Sequence, residues 1–165
     1  MASGDTLGFF PASAGQPPAA SYATPDQRNS IFVLDFDAAA DESTVFLGVL
    51  PSNYAGGGLT IITDWMATSA TSGSIRVQTQ IERWNAADDH DADAFAAAQS
   101  AGATVSGTSG IDFPITTTHT SGAQMDSLAA GERFRLKVTR DADGTSGTDD
   151  AAGDGELVSV TIKET

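Results

Sequence analysis

The sequence predicts an all-β fold: an antiparallel β-sandwich, jelly-roll-like, of about eight strands with one or two short helical turns. Three observations predict it. Apolar residues alternate with polar ones from Ser30 to the end, stretches rich in Gly, Ser, Asp and Asn separate these runs, and helical periodicity is confined to short segments.

The first 29 residues read as an N-terminal arm and residues 30–165 as a single β-sandwich domain. Within the arm, Gly8–Asn29 holds four of the six prolines with Ala and Ser between them, which favours extended or irregular chain. Leu7, Phe9 and Phe10 at its start supply anchors for a short first strand. Such an arm lies across a neighbouring molecule or folds back over its own sheet.

The domain proper begins with Phe32, Leu34 and Phe36, followed by Val45, Leu47 and Val49. After the Gly56-Gly57-Gly58 break, Leu59, Ile61 and Trp65 share one face. The clearest alternation places Ile75, Val77, Thr79 and Ile81 inward, with Arg76, Gln78, Gln80 and Glu82 outward, the pattern of a half-buried antiparallel strand. Ile111, Phe113 and Ile115 repeat it, and Pro114 between them points to a sheet edge. Phe134, Leu136 and Val138, with Arg140 continuing the inner row, and then Val158, Val160 and Ile162 complete the strands. Ala94–Ser100 and Ala123–Ala130 are each expected to form a turn or two of helix, the second with Ser121 as N-cap and Gly131 as stop. The link Asn85–Val105 is long enough to cross between sheets. An immunoglobulin-like sandwich is the alternative arrangement.

Acidic residues number 22 against 8 Lys plus Arg, a formal charge of −14, which disfavours nucleic acid as a partner. The chain has no cysteine, so disulfides, thiolate metal sites and a cysteine nucleophile are excluded. No apolar run approaches the roughly 20 residues needed to span a bilayer, and Met1–Asp5 lacks a basic segment followed by an apolar stretch; a soluble protein without a standard signal and without membrane association is expected.

A search for catalytic groups gives little. His90 lies in the acidic stretch Ala86–Ala94, His119 follows Thr116–Thr118, and both read as surface residues. No G-x-S-x-G elbow is present, and Gly107–Gly110 has the wrong spacing for one. Paired carboxylates sit in loops or on outward strand faces. The chain is therefore expected not to be an enzyme and to carry no cofactor.

Three constellations merit structural tests. Asp141, Asp143, Asp149, Asp150 and Asp154 are weak metal candidates, as is the run Asp88, Asp89, Asp91 and Asp93. Neither matches a calcium loop, and solvated acidic turns account for both. Arg133, Arg135 and Lys137 project from one face of a strand as a basic stripe. With Phe9, Phe10 and Tyr22 of the arm they form the candidate assembly interface. Trp65, Trp84 and Tyr54 are the aromatics able to stack on sugar rings; the register puts Trp65 in the core and Trp84 on an outward row.

Two stretches, Asp41–Arg83 (DESTVFLGVLPSNYAGGGLTIITDWMATSATSGSIRVQTQIER) and Asp126–Thr165 (with SLAAGERFRLKVTRDAD and GDGELVSVTIKET), together resemble short jelly-roll structural proteins of tailed phages, of the capsid decoration or cement type. That resemblance implies a non-enzymatic virion structural protein on the virion surface. It implies a homo-oligomer, with a trimer favoured, bound to the major capsid protein or another virion protein. The alternative is a receptor- or glycan-binding β-sandwich module of a phage tail or fibre, recognising its target through loop tips such as Ala67–Gly73.

Overall fold

The computed structural model describes residues 2–165 as two antiparallel sheets packed face to face. Ten strands are present among the described residues: β1 (Thr6–Pro11), β2 (Thr24–Arg28), β3 (Ile31–Phe36), β4 (Glu42–Val49), β5 (Leu59–Ala67), β6 (Ser74–Arg83), β7 (Gln99–Thr104), β8 (Phe113–His119), β9 (Arg133–Arg140) and β10 (Gly155–Glu164). One sheet runs β2-β3-β10-β5-β8, with β1 also paired to β10; the other runs β4-β9-β6-β7. Strand β10 is long enough to seat two partners end to end on one side, β3 against Gly155–Leu157 and β1 against Ser159–Lys163. No helix is long and apolar enough to cross a membrane among the described residues.

The alternation read from the sequence holds in β5, β6 and β9 and is corrected elsewhere. In β4 the buried row is Thr44 and Phe46, which pair with the inward Val138 and Leu136 of β9, whereas Val45 and Leu47 are half-buried and Val49 is exposed. In β10 a bulge between Leu157 and Ser159 brings Leu157 rather than Val158 into the core, and Ile111 lies before β8 and is exposed. Ile75, Val77, Thr79 and Ile81 of β6 are buried, and Phe134, Leu136 and Val138 of β9 meet them across the sheet. From the other sheet, Leu59, Ile61 and Trp65 of β5 and Leu157, Val160 and Ile162 of β10 close the core. Trp65 meets Phe36 edge-on with ring centroids 4.9 Å apart, a geometry worth about 0.5–1.5 kcal/mol beyond burial. Strand β8 lies at a sheet edge, as Pro114 predicts.

The two strands without an apolar alternation are β2 and β7. Strand β2 lies inside the proline-rich segment, and β7 (Gln-Ser-Ala-Gly-Ala-Thr) offers small side chains to the core through Ala101 and Ala103. Part of the stretch expected to be helical, Gln99–Ser100, is thus strand, because its backbone pairs with β6 through Thr79 and Gln78. The long link between β6 and β7 does not cross between sheets. It folds back on the same sheet, with Ala96 N–H donating to the Ile81 carbonyl at 2.8 Å. The second helical segment shrinks to a 3-10 turn, Ala123–Met125, with no side-chain cap from Ser121 or any other residue.

The N-terminal segment lies against its own domain. Beyond β1, a 3-10 turn at Ala12–Ala14 leads into chain that pairs with the free edge of β4: Gln16 exchanges backbone hydrogen bonds with Val45, and Ser43 is bonded to Ser21 and Ala23. The edge of the four-stranded sheet is thereby covered, which removes a template for uncontrolled strand pairing. Gly15 is required there, since a Cβ would lie 2.5 Å from Thr44 Oγ1 and 2.7 Å from Leu34 Cδ1.

Candidate functional site

Where the arm crosses the side of the sandwich it leaves a cleft of about 430 Å³, lined by Gly15, Pro17, Pro18, Tyr22, Ala23, Pro25, Phe32, Leu34 and Thr44. The cleft has a simple origin in β3. Phe36, Leu34 and Phe32 share its inner row, and their exposures are 0 %, 4 % and 37 %. Exposure rises toward the start of the strand, and its first ring on this row emerges at the surface. Tyr22, 48 % exposed, stands at the same opening. A second depression of about 360 Å³ shares Phe32 and Pro25 and adds Asp26 and Gln27. Phe32 and Pro25 thus border both depressions, with the Tyr22 ring and two further prolines on one side and a carboxylate and an amide on the other. Such rings accept the apolar face of a flat ligand ring, and the carboxylate and amide bond its hydroxyls.

The outer face of the four-stranded sheet carries the basic stripe. Arg133, Arg135 and Lys137 project there as expected, and each has a partner. Arg133 stacks on Trp84, 5.2 Å from the ring centre. Arg135 forks onto the Glu82 carboxylate, with Nε–Oε2 at 3.0 Å, and leaves Glu82 fully covered. Arg135 and Lys137 lie 5.1 and 5.9 Å from the Phe95 ring centre. Phe95 comes from the folded-back link, in the stretch Ala94–Ser100 expected to be helical, and a lone aromatic among alanines does not reveal this position. With Gln16, Pro17, Pro18, Ala19 and Val45 these residues enclose a further cleft of about 360 Å³.

The other arm candidates separate. Phe9 is 62 % exposed, whereas Phe10 packs against Phe46 and Phe134 at 5.7 and 6.4 Å. Of the proposed sugar platforms, Trp65 and Tyr54 are core residues, and the Tyr54 hydroxyl donates to the Gly57 carbonyl. Burial, then the nearby Glu164 carboxylate, pushes the Tyr54 phenol above its ordinary value. Trp84 is half-buried between Arg133 and the edge of His90, 5.1 Å away. The Ala67–Gly73 loop is tied to the β9–β10 connection, through the Thr68 hydroxyl donating to the Asp154 carbonyl at 2.8 Å.

The acidic stretch after β9 is mostly scaffolding. Asp149 pairs with the buried Arg140 and accepts the Arg76 backbone N–H; Asp150 accepts from Ser74 N–H, and Asp154 from Ala38 N–H. Asp141 is fully buried and accepts the Thr145 hydroxyl at 3.0 Å, the Ser146 N–H at 2.8 Å and the Ser146 hydroxyl. Burial alone would raise its carboxyl, but these bonds outweigh that and hold it at about 2. Carboxylate oxygens of Asp41, Asp141 and Asp143 come within 4.8 Å of one another, the one such acidic group among the described residues. In the other stretch, Asp88 accepts from Asn85 N–H and pairs with Arg83 at 3.5 Å, while Asp89 bonds Asp91 N–H.

His119 corrects the surface reading given to it. It is fully buried, its Nε2 is 2.8 Å from Thr79 Oγ1 and its Nδ1 is 3.1 Å from the Gln124 carbonyl. The carbonyl only accepts, so Nδ1 carries a proton, and burial disfavours a second one on Nε2. Period two put His119 on the inner row with Phe113, Ile115 and Thr117; its polarity concealed the fact.

No family model matches the chain, and no curated protein matches it. Solved structures do. The C-terminal CBM6 of LamC, a marine laminarinase from Zobellia galactanivorans, is similar over 97 % of this chain and 100 % of that one, at 12 % identity and a TM-score of 0.52. A xylan-binding module, CBM15, covers 96 % and 97 % at 12 % identity and a TM-score of 0.48. A family 11 carbohydrate-binding module from Clostridium thermocellum covers 100 % and 98 % at 9 % identity and 0.44. At 12 % identity the first of these establishes the fold alone: an antiparallel jelly-roll-like sandwich shared with a carbohydrate-binding module. The likeness to phage coat proteins rests on the sequence stretches that suggested it.

Proposed function

We propose that this protein is a non-catalytic glycan-binding module, and that sugar rings seat on Tyr22 and Phe32 at the arm cleft. The observation that carries the reading is the pair of exposed rings beside Pro25, Asp26 and Gln27. Exposed aromatics on a monomeric surface cost solvation, and a shaped opening with convergent polar groups is where that cost is offset by a ligand. The fold shared with a carbohydrate-binding module supports the same class. Because Phe32 belongs to β3, which is paired with β2 and β10, and Tyr22 to an arm bonded to β4, the rings are held by backbone pairing and need no large rearrangement to receive a sugar.

Affinity electrophoresis through gels containing individual polysaccharides tests the reading. The wild-type chain is retarded by at least one neutral or acidic polysaccharide, and Tyr22→Ala and Phe32→Ala relieve the retardation. Free migration in every gel overturns it. Particle coating is the second reading, favoured by the exposed Phe9; it predicts a trimer by mass measurement in solution, and binding of the trimer to capsids.

A further inference from the structure

We infer that the ligand is a sparsely acidic polysaccharide, one whose carboxylate or sulfate groups are spaced among neutral sugars, and that an acidic unit docks on Lys137 in the cleft beside the aromatic pair. The inference rests on the glycan-binding reading and names the substrate class for it.

Three observations lead there. First, the Lys137 cleft and the Tyr22–Phe32 cleft share Pro17 and Pro18 as a common wall, so neighbouring units of one chain can fill both. Second, the charges inside the Lys137 cleft are unequal. Arg135 is neutralised by Glu82, whereas Lys137 has no carboxylate within ion-pairing distance among the described residues. Its register partners are Val45 and Gln80, neither of them acidic. Arg76, Arg133 and Lys163 likewise have no ion pair among the described residues, and Lys137 is the one of these four cations that lines this cleft. Its ammonium, set between Phe95 and two prolines, is placed to bond an anionic substituent while the ring above it stacks.

Third, the net charge of −14 limits how acidic the ligand is. A dense polyanion is repelled by the whole molecule, whereas one isolated anionic group feels chiefly the cations within a Debye length, about 10 Å at 0.1 M salt. Spaced acidic units meet both conditions. A uronate and a sulfate ester present the same chemistry to Lys137, and separate probes distinguish them.

Titration calorimetry of the full chain uses four probes: glucuronoxylan, its carboxyl-reduced form, a lightly sulfated agar, and polygalacturonate as a dense polyanion. Binding to glucuronoxylan or to the sulfated agar about fivefold or more tighter than to the carboxyl-reduced xylan supports the inference. The advantage must shrink at 0.5 M NaCl and disappear in Lys137→Gln, a variant checked to melt like the wild type. Whichever of the two probes shows the advantage identifies the group. Equal affinity for the acidic and neutral probes, tightest binding to polygalacturonate, or an advantage that survives Lys137→Gln overturns the inference and leaves the glycan reading standing. Absence of binding to every probe overturns the inference, and overturns the glycan reading as well if the chain also migrates freely in every polysaccharide gel. Self-association that Lys137→Glu abolishes, without glycan binding, assigns the cleft to a second copy of this chain and also overturns the inference.

Discussion

Arg140 and Asp149 form a buried ion pair, with Nη2–Oδ1 at 2.8 Å and Nε–Oδ2 at 3.1 Å, that fastens the β9–β10 connection to the core. The remaining guanidinium hydrogens donate to the carbonyls of Phe36, Ala151 and Gly153, so one side chain joins three segments. Removing either partner leaves the other charge buried and alone, which costs about 3–5 kcal/mol. Asp149→Ala is expected to lower the urea unfolding free energy by that amount with an unchanged m-value. A loss below about 1 kcal/mol would show that the connection is held by other contacts.

Asp35 faces Glu156 directly across β3 and β10, and its Oδ1 is buried without a hydrogen-bond partner. Burial, followed by the charges of Asp154, Glu156, Asp26 and Glu42, pushes its carboxyl up to about 7. The folded state therefore binds this proton more tightly than the unfolded chain. The contribution to stability is complete below about pH 4 and is lost as pH rises toward 7. Asp35→Asn is predicted to raise the melting temperature at pH 8 and to leave it unchanged at pH 3.5. An equal shift at both pH values contradicts the assignment.

His119 works in the opposite direction. Burial lowers its pKa, only partly offset by the bond to the Gln124 carbonyl, so the unfolded chain takes up the proton more readily. Its contribution is complete above about 6.5 and falls away as pH drops through that value toward its folded pKa. His119→Gln, which keeps a donor and an acceptor, is expected to flatten the fall in melting temperature between pH 7 and 5. A fall identical to that of the wild type would place its origin elsewhere.

Tyr22→Ala is predicted to weaken glycan binding about tenfold, equivalent to about 1.4 kcal/mol. The melting temperature should change little, because the Tyr22 side chain is largely in water. Wild-type affinity in this variant would remove Tyr22 from the site.

Strands that bury large side chains on one face were legible in the sequence, as β5, β6 and β9 show, because period two records which face is inward. Strands β2 and β7 were not, since the first is made of residues pairing at an edge and the second packs alanines. The basic stripe and its shared face were legible from register alone. The cleft was not: Phe32 obeys the inner-row pattern of Leu34 and Phe36 and is nevertheless 37 % exposed, a difference that period two does not record. Likewise, Phe95 comes to Lys137 through the path of an aperiodic link, and Asp149 to Arg140 through a loop closure. Local patterning encodes neither relationship.

Glycan binding here requires sugar to reach the opening between the arm and β3. Titrating isotope-labelled protein with a polysaccharide that retards it, and following backbone amide shifts, tests this directly. The prediction is saturable change at Tyr22, Ala23, Asp26, Gln27 and Phe32, with the far edge at β8 silent. Change confined to the β8 edge or to the Ala67–Gly73 loop, or no change at all, would contradict it.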